Sequence, residues 1–311
     1  NNLNSGTLTP ILTGQAQKKT APGASTFLEL QTGDTLSVTV NGITISGTIG
    51  SLPTGLTYDA ATKSWSLNTA TAGAFNLTSG TTYNVAVKAT AGGVTNDDIS
   101  SGELVINTTA PTITLAEIST DGFINAAERG ESLVISGTTN AQVGSIVTIT
   151  GLDATTRTAT VLAGSGGTNT FTLTIPAADV TALANANGEK IATASVVNAF
   201  GLSGSDTENV FIDIVSPTAV ADAASANEDL TTLTGNVGTN DTNKDSTEAY
   251  SLSGSATGSF GSLALGSNGA WTYTVDEAKR GQLNAITANA VETFSYKVTD
   301  AAGNSTSSTL A

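Results

Sequence analysis

Two short proline-bearing junctions fix how this chain can be laid out. Ala110-Pro111-Thr112 and Ser216-Pro217-Thr218 lie about one sandwich domain apart. Each follows an alternating apolar run at once, Glu103-Leu104-Val105-Ile106 and Val210-Phe211-Ile212-Asp213-Ile214. A strand that ends in such a junction, with a new strand pattern starting immediately, joins units in series. The 311 residues therefore read as all-β, three sandwich domains in tandem over 1–107, 108–215 and 216–311, elongated in shape.

The strand runs are short and bounded by turn residues. Leu36–Val40 stops at Asn41-Gly42, a pair that tolerates positive φ at both positions and so predicts a two-residue hairpin into Ile43–Ser46. Tyr83, Val85 and Val87 alternate onto one face. The middle segment repeats the pattern at Leu133–Thr138, Ile146–Gly151, Phe171–Pro176 and Ala192–Val197. Ala177–Ala184 reads as one or two helical turns crossing between sheets, and Asp276–Arg280 is the other helix candidate. The last segment shows Phe260–Leu265, Ala270–Val275 and Glu292–Asp300. Trp65 and Trp271 each sit in an alternating run and read as core anchors.

Aromatic residues make up only 5% of the chain, which suits several thin cores better than one large one. There is no Cys, His or Met, so disulfides, thiolate metal sites and Cys or His nucleophiles are excluded. Carboxylate-pair chemistry has no recognisable signature here, and the reading is that the chain is not an enzyme. Net charge is −15, which argues against nucleic acid and anionic membrane as partners and is compatible with bound cations. No apolar run is long enough to span a bilayer. A chain that starts at Asn1 is expected to be a processed form or a piece of something longer.

Residues Thr109–Pro217 resemble the Ig-like tandem repeats of giant bacterial surface adhesins, the type I-secreted, RTX-type proteins. The resemblance is carried by Thr109-Ala110-Pro111-Thr112, Asp121-Gly122-Phe123-Ile124-Asn125-Ala126-Ala127-Glu128, Ile135-Ser136-Gly137-Thr138-Thr139 and Pro176-Ala177-Ala178-Asp179. Residues Ser216–Ala311 resemble the VCBS or cadherin-like repeats of the same adhesins. The matching stretches are Ala226-Asn227-Glu228-Asp229, Leu233–Val237, Asn240-Asp241, Gly269–Tyr273 and Thr293–Asn304. These resemblances imply Ig-like and cadherin-like sandwiches, an extracellular place on a bacterial cell surface, and neighbouring repeats of the same or identical chains as partners.

The first segment matches less. Leu8–Gly14 aligns with Ser132–Gly137, which leaves nothing ahead of its second strand and no counterpart of the Asp121–Glu128 loop. Either the sequence starts inside a repeat, or another subunit supplies the missing strand in a fibre or surface layer.

Calcium is the cofactor to expect, because it takes about six to eight oxygen ligands from carboxylates, amides and carbonyls. Asp222, Glu228, Asp229, Asn240, Asp241 and Asp300 supply such a set. The cadherin-like resemblance implies calcium on the matching acidic positions near the domain entrance. An Ig-like topology brings Asp121 and Glu128 to the second junction, near Asp213. Asp97-Asp98 is a weaker pair. Asp241–Asp245 resembles a calcium loop, but Lys244 interrupts it and the downstream Glu spacing is wrong for an EF-hand. The function expected is a calcium-stiffened stalk segment.

Overall fold

The computed structural model describes residues 3–311 except 20, 22, 24, 99, 185, 186 and 246. Its buried apolar residues form three separate cores, running from Leu12 to Ile106, from Ile113 to Ile212 and from Val237 to Leu310. Each core is sandwiched between sheets, and helix is confined to short connections. Among the described residues no helix is long and apolar enough to cross a membrane.

The first unit holds β1 (Leu3–Ser5), β2 (Ile11–Gln15), β3 (Lys18–Lys19), β4 (Phe27–Leu28), β5 (Thr35–Val40) and β6 (Ile43–Thr48). It continues with β7 (Leu56–Asp59), β8 (Ser64–Asn68), β9 (Thr81–Tyr83), β10 (Val85–Ala91), β11 (Val94–Asp97) and β12 (Leu104–Ile106). One sheet is ordered β2-β8-β7. Two further sheets are ordered β11-β10-β5-β6 and β1-β12-β9. Strand alternation drives the burial: Leu36, Val38 and Val40 of β5 are fully buried and their neighbours are not. Asn41 and Gly42 both take positive φ, and the hairpin they were expected to form closes with Val40 opposite Ile43. One expectation is corrected. The unit does hold a strand ahead of its second one, because β1 pairs in parallel with β12.

The second unit contains β13 (Ile113–Leu115), β14 (Phe123–Ile124), β15 (Leu133–Thr139), β16 (Ile146–Thr150), β17 (Arg157–Thr160), β18 (Asn169–Ile175), β19 (Gly188–Val197) and β20 (Ser203–Ile212). Its sheets are β13-β15-β18 and β14-β20-β19-β16-β17. The short helix Ala177–Leu183 carries the chain from the first sheet to the second, burying Val180 and Leu183. In the third unit β21 (Thr232–Asn236), β23 (Gly261–Leu265) and β24 (Ala270–Val275) form one sheet. The other is made by β22 (Ala249–Leu252), β25 (Phe294–Thr299) and β26 (Ser305–Leu310).

One packing device recurs in all three units. A glycine faces a large aromatic ring across two paired strands: Gly14 opposite Trp65, Gly137 opposite Phe171 and Gly235 opposite Trp271. A Cβ on these glycines would lie 2.8, 2.5 and 2.6 Å from ring atoms. The ring lies over the glycine backbone, so a side chain there would force the aromatic anchor out of its place. Trp65 and Trp271 are buried, as core anchors should be.

Candidate metal centre at the second junction

The second and third units meet through two well-bonded loops. In the second unit, Asn125 accepts the Ala127 and Glu128 amides on Oδ1, while Glu128 Oε2 accepts the Asn125 amide. These reciprocal bonds brace the loop just ahead of the short 3₁₀ turn Glu128–Gly130. In the third unit, the β25–β26 hairpin turns through Asp300–Asn304, with Gly303 at positive φ. Asp300 accepts the Asn304 backbone amide on Oδ1 and the Asn304 side-chain amide on Oδ2.

Asn304 joins the two units. Its side-chain amide also donates to the Asp213 carbonyl at 2.9 Å, and its Oδ1 accepts the Ala126 amide at 2.8 Å. Asn125 returns the contact by donating to the Ala302 carbonyl at 2.9 Å. Asn304 is only 6% exposed, so its own bonds are partly shielded from competing water.

Around this contact three carboxylates converge. Oxygens of Asp213, Asp245 and Asp300 all lie within 4.8 Å of one another. That separation is about twice a calcium–oxygen distance of roughly 2.4 Å, so one ion can touch all three. Asp213 directly follows β20 and belongs to the connection between units, Asp300 directly follows β25, and Asp245 sits in the loop from β21 to β22. None of the described ion pairs reaches them. Lys244, next to Asp245, donates instead to the Gly238 carbonyl. Asp245 is exposed, yet partial desolvation, then a hydrogen bond to Asp213 and the charges of Asp213, Asp300 and Glu248, push its carboxyl above the ordinary value. Two carboxylates bonded to each other need either a shared proton or a cation. Glu248 Oε1 is buried with no hydrogen-bond partner, a second sign of an unmet demand for positive charge here.

Of the residues singled out in the sequence, Asp213 and Asp300 come together. The Asp121–Glu128 loop does lie at the junction, but through Asn125 and Ala126. Asp121 is spent on the Ser119 hydroxyl and the Phe123 amide, and Glu128 on Asn125. Asp222, Asn240 and Asp241 hold down the first segment of the third unit. Asp241 accepts the Val220 amide and the Tyr250 hydroxyl, Asp222 accepts the Tyr296 hydroxyl, and Asn240 donates to the Ala221 carbonyl. Burial and the charge of Asp241 raise the Asp222 carboxyl against the opposing hydrogen bond from Tyr296, and burial beside Asp241 and Asp222 raises the Tyr250 and Tyr296 hydroxyls. Glu228 and Asp229 are not at the junction. Arg280 donates to the Glu228 and Leu230 carbonyls, and the pocket that Glu228 helps to line also takes in Ala311. The six residues of β26 separate that end from Asn304 by about 20 Å, at roughly 3.3 Å per residue. Asp97 pairs loosely with Lys88, and Asp98 caps Ser100.

Sequence reasoning missed Asp245, Glu248, Asn125 and Asn304 as site residues. Asn304 had a local signal, since Asp and Asn four residues apart around a glycine mark a bonded hairpin turn.

With that geometry established, comparison with known proteins adds a family for the last unit. Residues 215–311 match the model of the bacterial cadherin-like domain. No curated protein sequence matches the chain. A solved structure of a 1.5-MDa bacterial ice-binding adhesin is similar at 21% identity and TM-score 0.40, over 92% of this chain and 86% of that one. A Ca2+-stabilized adhesin of an Antarctic bacterium is similar at 22% identity and TM-score 0.38, over 96% and 67%. An immunoglobulin-like domain of the M. primoryensis ice-binding adhesin is similar at 24% identity and TM-score 0.26, over 34% and 99%.

Proposed function

We propose that this chain is a non-enzymatic spacer of an extracellular bacterial adhesin, three sandwich units (1–107, 108–215 and 216–311) stiffened by calcium at the second junction. The observation that carries the reading is the convergence of Asp213, Asp245 and Asp300 on one point beside the bonded contact between units. All three offer hard oxygen donors, which suit calcium rather than a soft metal. The charge of Glu248 also bears on Asp245 and adds to the negative field that a cation would relieve. Water and backbone carbonyls would complete the shell.

In this reading Asp213 comes from the connection and Asp245 and Asp300 come from the third unit, so the ion ties the connection to the unit that follows. Without it the clustered negative charge loosens the contact around Asn304. With it the junction keeps one geometry and resists proteases. The matching of the last unit to a bacterial cadherin-like domain supports a structural role outside the cell.

Titration calorimetry with calcium chloride near pH 7 tests the reading. A saturable site that Asp245→Asn removes, with the fold intact by circular dichroism, is the expected result. No heat, or a site untouched by Asp245→Asn and Asp213→Asn, contradicts it.

A further inference from the structure

β1 and β14 occupy the same place in their units. Each pairs in parallel with the last strand of its unit, Ser5 beside Ile106 and Ile124 beside Ile212. The residues that follow are therefore equivalent, Gly6 at the first junction and Asn125 at the second. Both meet the hairpin turn of the next unit. Asn125 reaches its turn with a side chain, through the bond to the Ala302 carbonyl. Gly6 reaches the matching turn with bare backbone. A Cβ on Gly6 would lie 2.6 Å from the Phe200 carbonyl oxygen and 3.0 Å from the Leu202 side chain.

Gly6 does not take positive φ, so its backbone shape does not call for glycine. Space does. A carbonyl oxygen is fixed in its chain and cannot swing aside as the end of a side chain can. The 2.6 Å approach is about 1 Å short of a relaxed contact of roughly 3.5 Å. Leu202 stands where the second junction has Asn304, so an aliphatic side chain packs where the other joint has a bonded amide. The connection between the first two units is also pinned from both sides. The Asn107 amide donates to the Ser5 carbonyl and the Thr108 amide to the Ser79 hydroxyl at 2.9 Å. The Thr109 carbonyl accepts the Asn198 side-chain amide at 3.1 Å. All of these groups are uncharged, so none of the bonds depends on a cation or on pH near neutrality.

We propose that Gly6 sets the first joint: its bare backbone lets the Phe200–Leu202 turn close directly on the first unit, which holds units one and two at one angle with or without calcium. The lock is steric and uses groups that no ion needs to bridge. It goes beyond the calcium reading and does not require it, because Asp213, Asp245 and Asp300 converge at the other junction.

The chain contains no cysteine, so pairs of spin labels can be placed on the whole 311-residue protein. Ser46→Cys with Thr158→Cys spans the first joint, and Thr158→Cys with Ser307→Cys spans the second. All three positions are exposed. Double electron–electron resonance should give one narrow distance distribution for the first pair, the same in calcium and in chelator. Gly6→Ala should shift its mean by at least about 1 Å, or broaden it, in both solutions. Leu202→Trp adds bulk from the second unit's side and should act in the same way, which keeps the test valid if Gly6→Ala disturbs the first unit. A first-pair distribution that is broad in chelator, or that moves when calcium is added, overturns the proposal. So do variants that fold by circular dichroism and leave the distribution unmoved. The second pair reports the calcium reading separately, and a failure to respond there contradicts that reading alone.

Discussion

The two junctions of this chain share a plan and differ in charge. At the second, the Asp213 amide donates to Ile124 and its Oδ1 accepts the Val215 amide. At the first, the Asn107 amide donates to Ser5 and its Oδ1 accepts the Thr109 amide. The facing hairpin turns match too. Asp300 and Asn304 bond as Asn198 and Leu202 do, each turn closing on a glycine at positive φ, Gly303 or Gly201. The loop that brings Asp245 into the second junction has as its counterpart residues 140–145, which contain no carboxylate. Three carboxylates at one junction thus correspond to neutral residues at the other. Amides can satisfy the same turns without a cation, so the carboxylates are not explained by local geometry. They mark the second junction as the one whose state depends on the solution around it.

Several changes would break or sharpen that contrast. The largest effect is expected from Asp300→Ala, which frees both Asn304 bonds and should cost the third unit about 2–3 kcal/mol, even in chelator. Asn198→Ala in the matching turn should cost only about 1 kcal/mol, because its bonds are between neutral groups. Differential scanning calorimetry reads both, and equal losses would erase the distinction.

Calcium itself comes next. At about a hundredfold excess over its dissociation constant it should add roughly 2.7 kcal/mol to the unit that binds it. The first unit should melt unchanged, and Asp245→Asn should abolish the gain.

Acid should act in opposite directions with and without the ion. The Asp245 carboxyl, although exposed, is raised in the folded chain by partial desolvation and by its acidic neighbours. Without a cation, the stability tied to it is fully present below the ordinary value of 3.8 and is lost as pH rises through the raised value. Melting of the metal-free third unit should therefore improve modestly as pH falls from neutral toward that window. In calcium the same acidification should weaken it, because protons compete with the ion. Parallel pH profiles would deny a role for the cluster.

The smallest effect concerns the first junction. Asn107→Asp with Asn198→Asp should destabilise it by about 0.5 kcal/mol in chelator. Calcium should restore little, since no third carboxylate is at hand. A full calcium response in thermal melts would show that two carboxylates suffice.

Much of the fold could be read locally. The β5–β6 turn followed from Asn41-Gly42, and the crossing helix from Ala177–Ala184, because both are set by neighbours in sequence. The site was legible only in part. Asp213 and Asp300 stand at strand ends, where alternation stops and a carboxylate is conspicuous. Asp245 was set aside on EF-hand spacing, a rule for ligands held by one continuous loop. Here the ligands come from three separate segments, and only the packed sandwich brings them together. Asp222 and Asp241 lie outside the converging group, for the converse reason. Their partners are hydroxyls of Tyr296 and Tyr250, distant in sequence for Asp222 and in the following strand, β22, for Asp241. The strand β1 was not legible, because it pairs with β12, far away in the sequence.

Anomalous diffraction from crystals grown with calcium tests the central claim most directly. The account predicts one strong peak about 2.4 Å from oxygens of Asp213, Asp245 and Asp300, with none beside Asn107 and Asn198. An ordered second junction with no peak, or calcium bound only at Glu228 and Asp229, would contradict it.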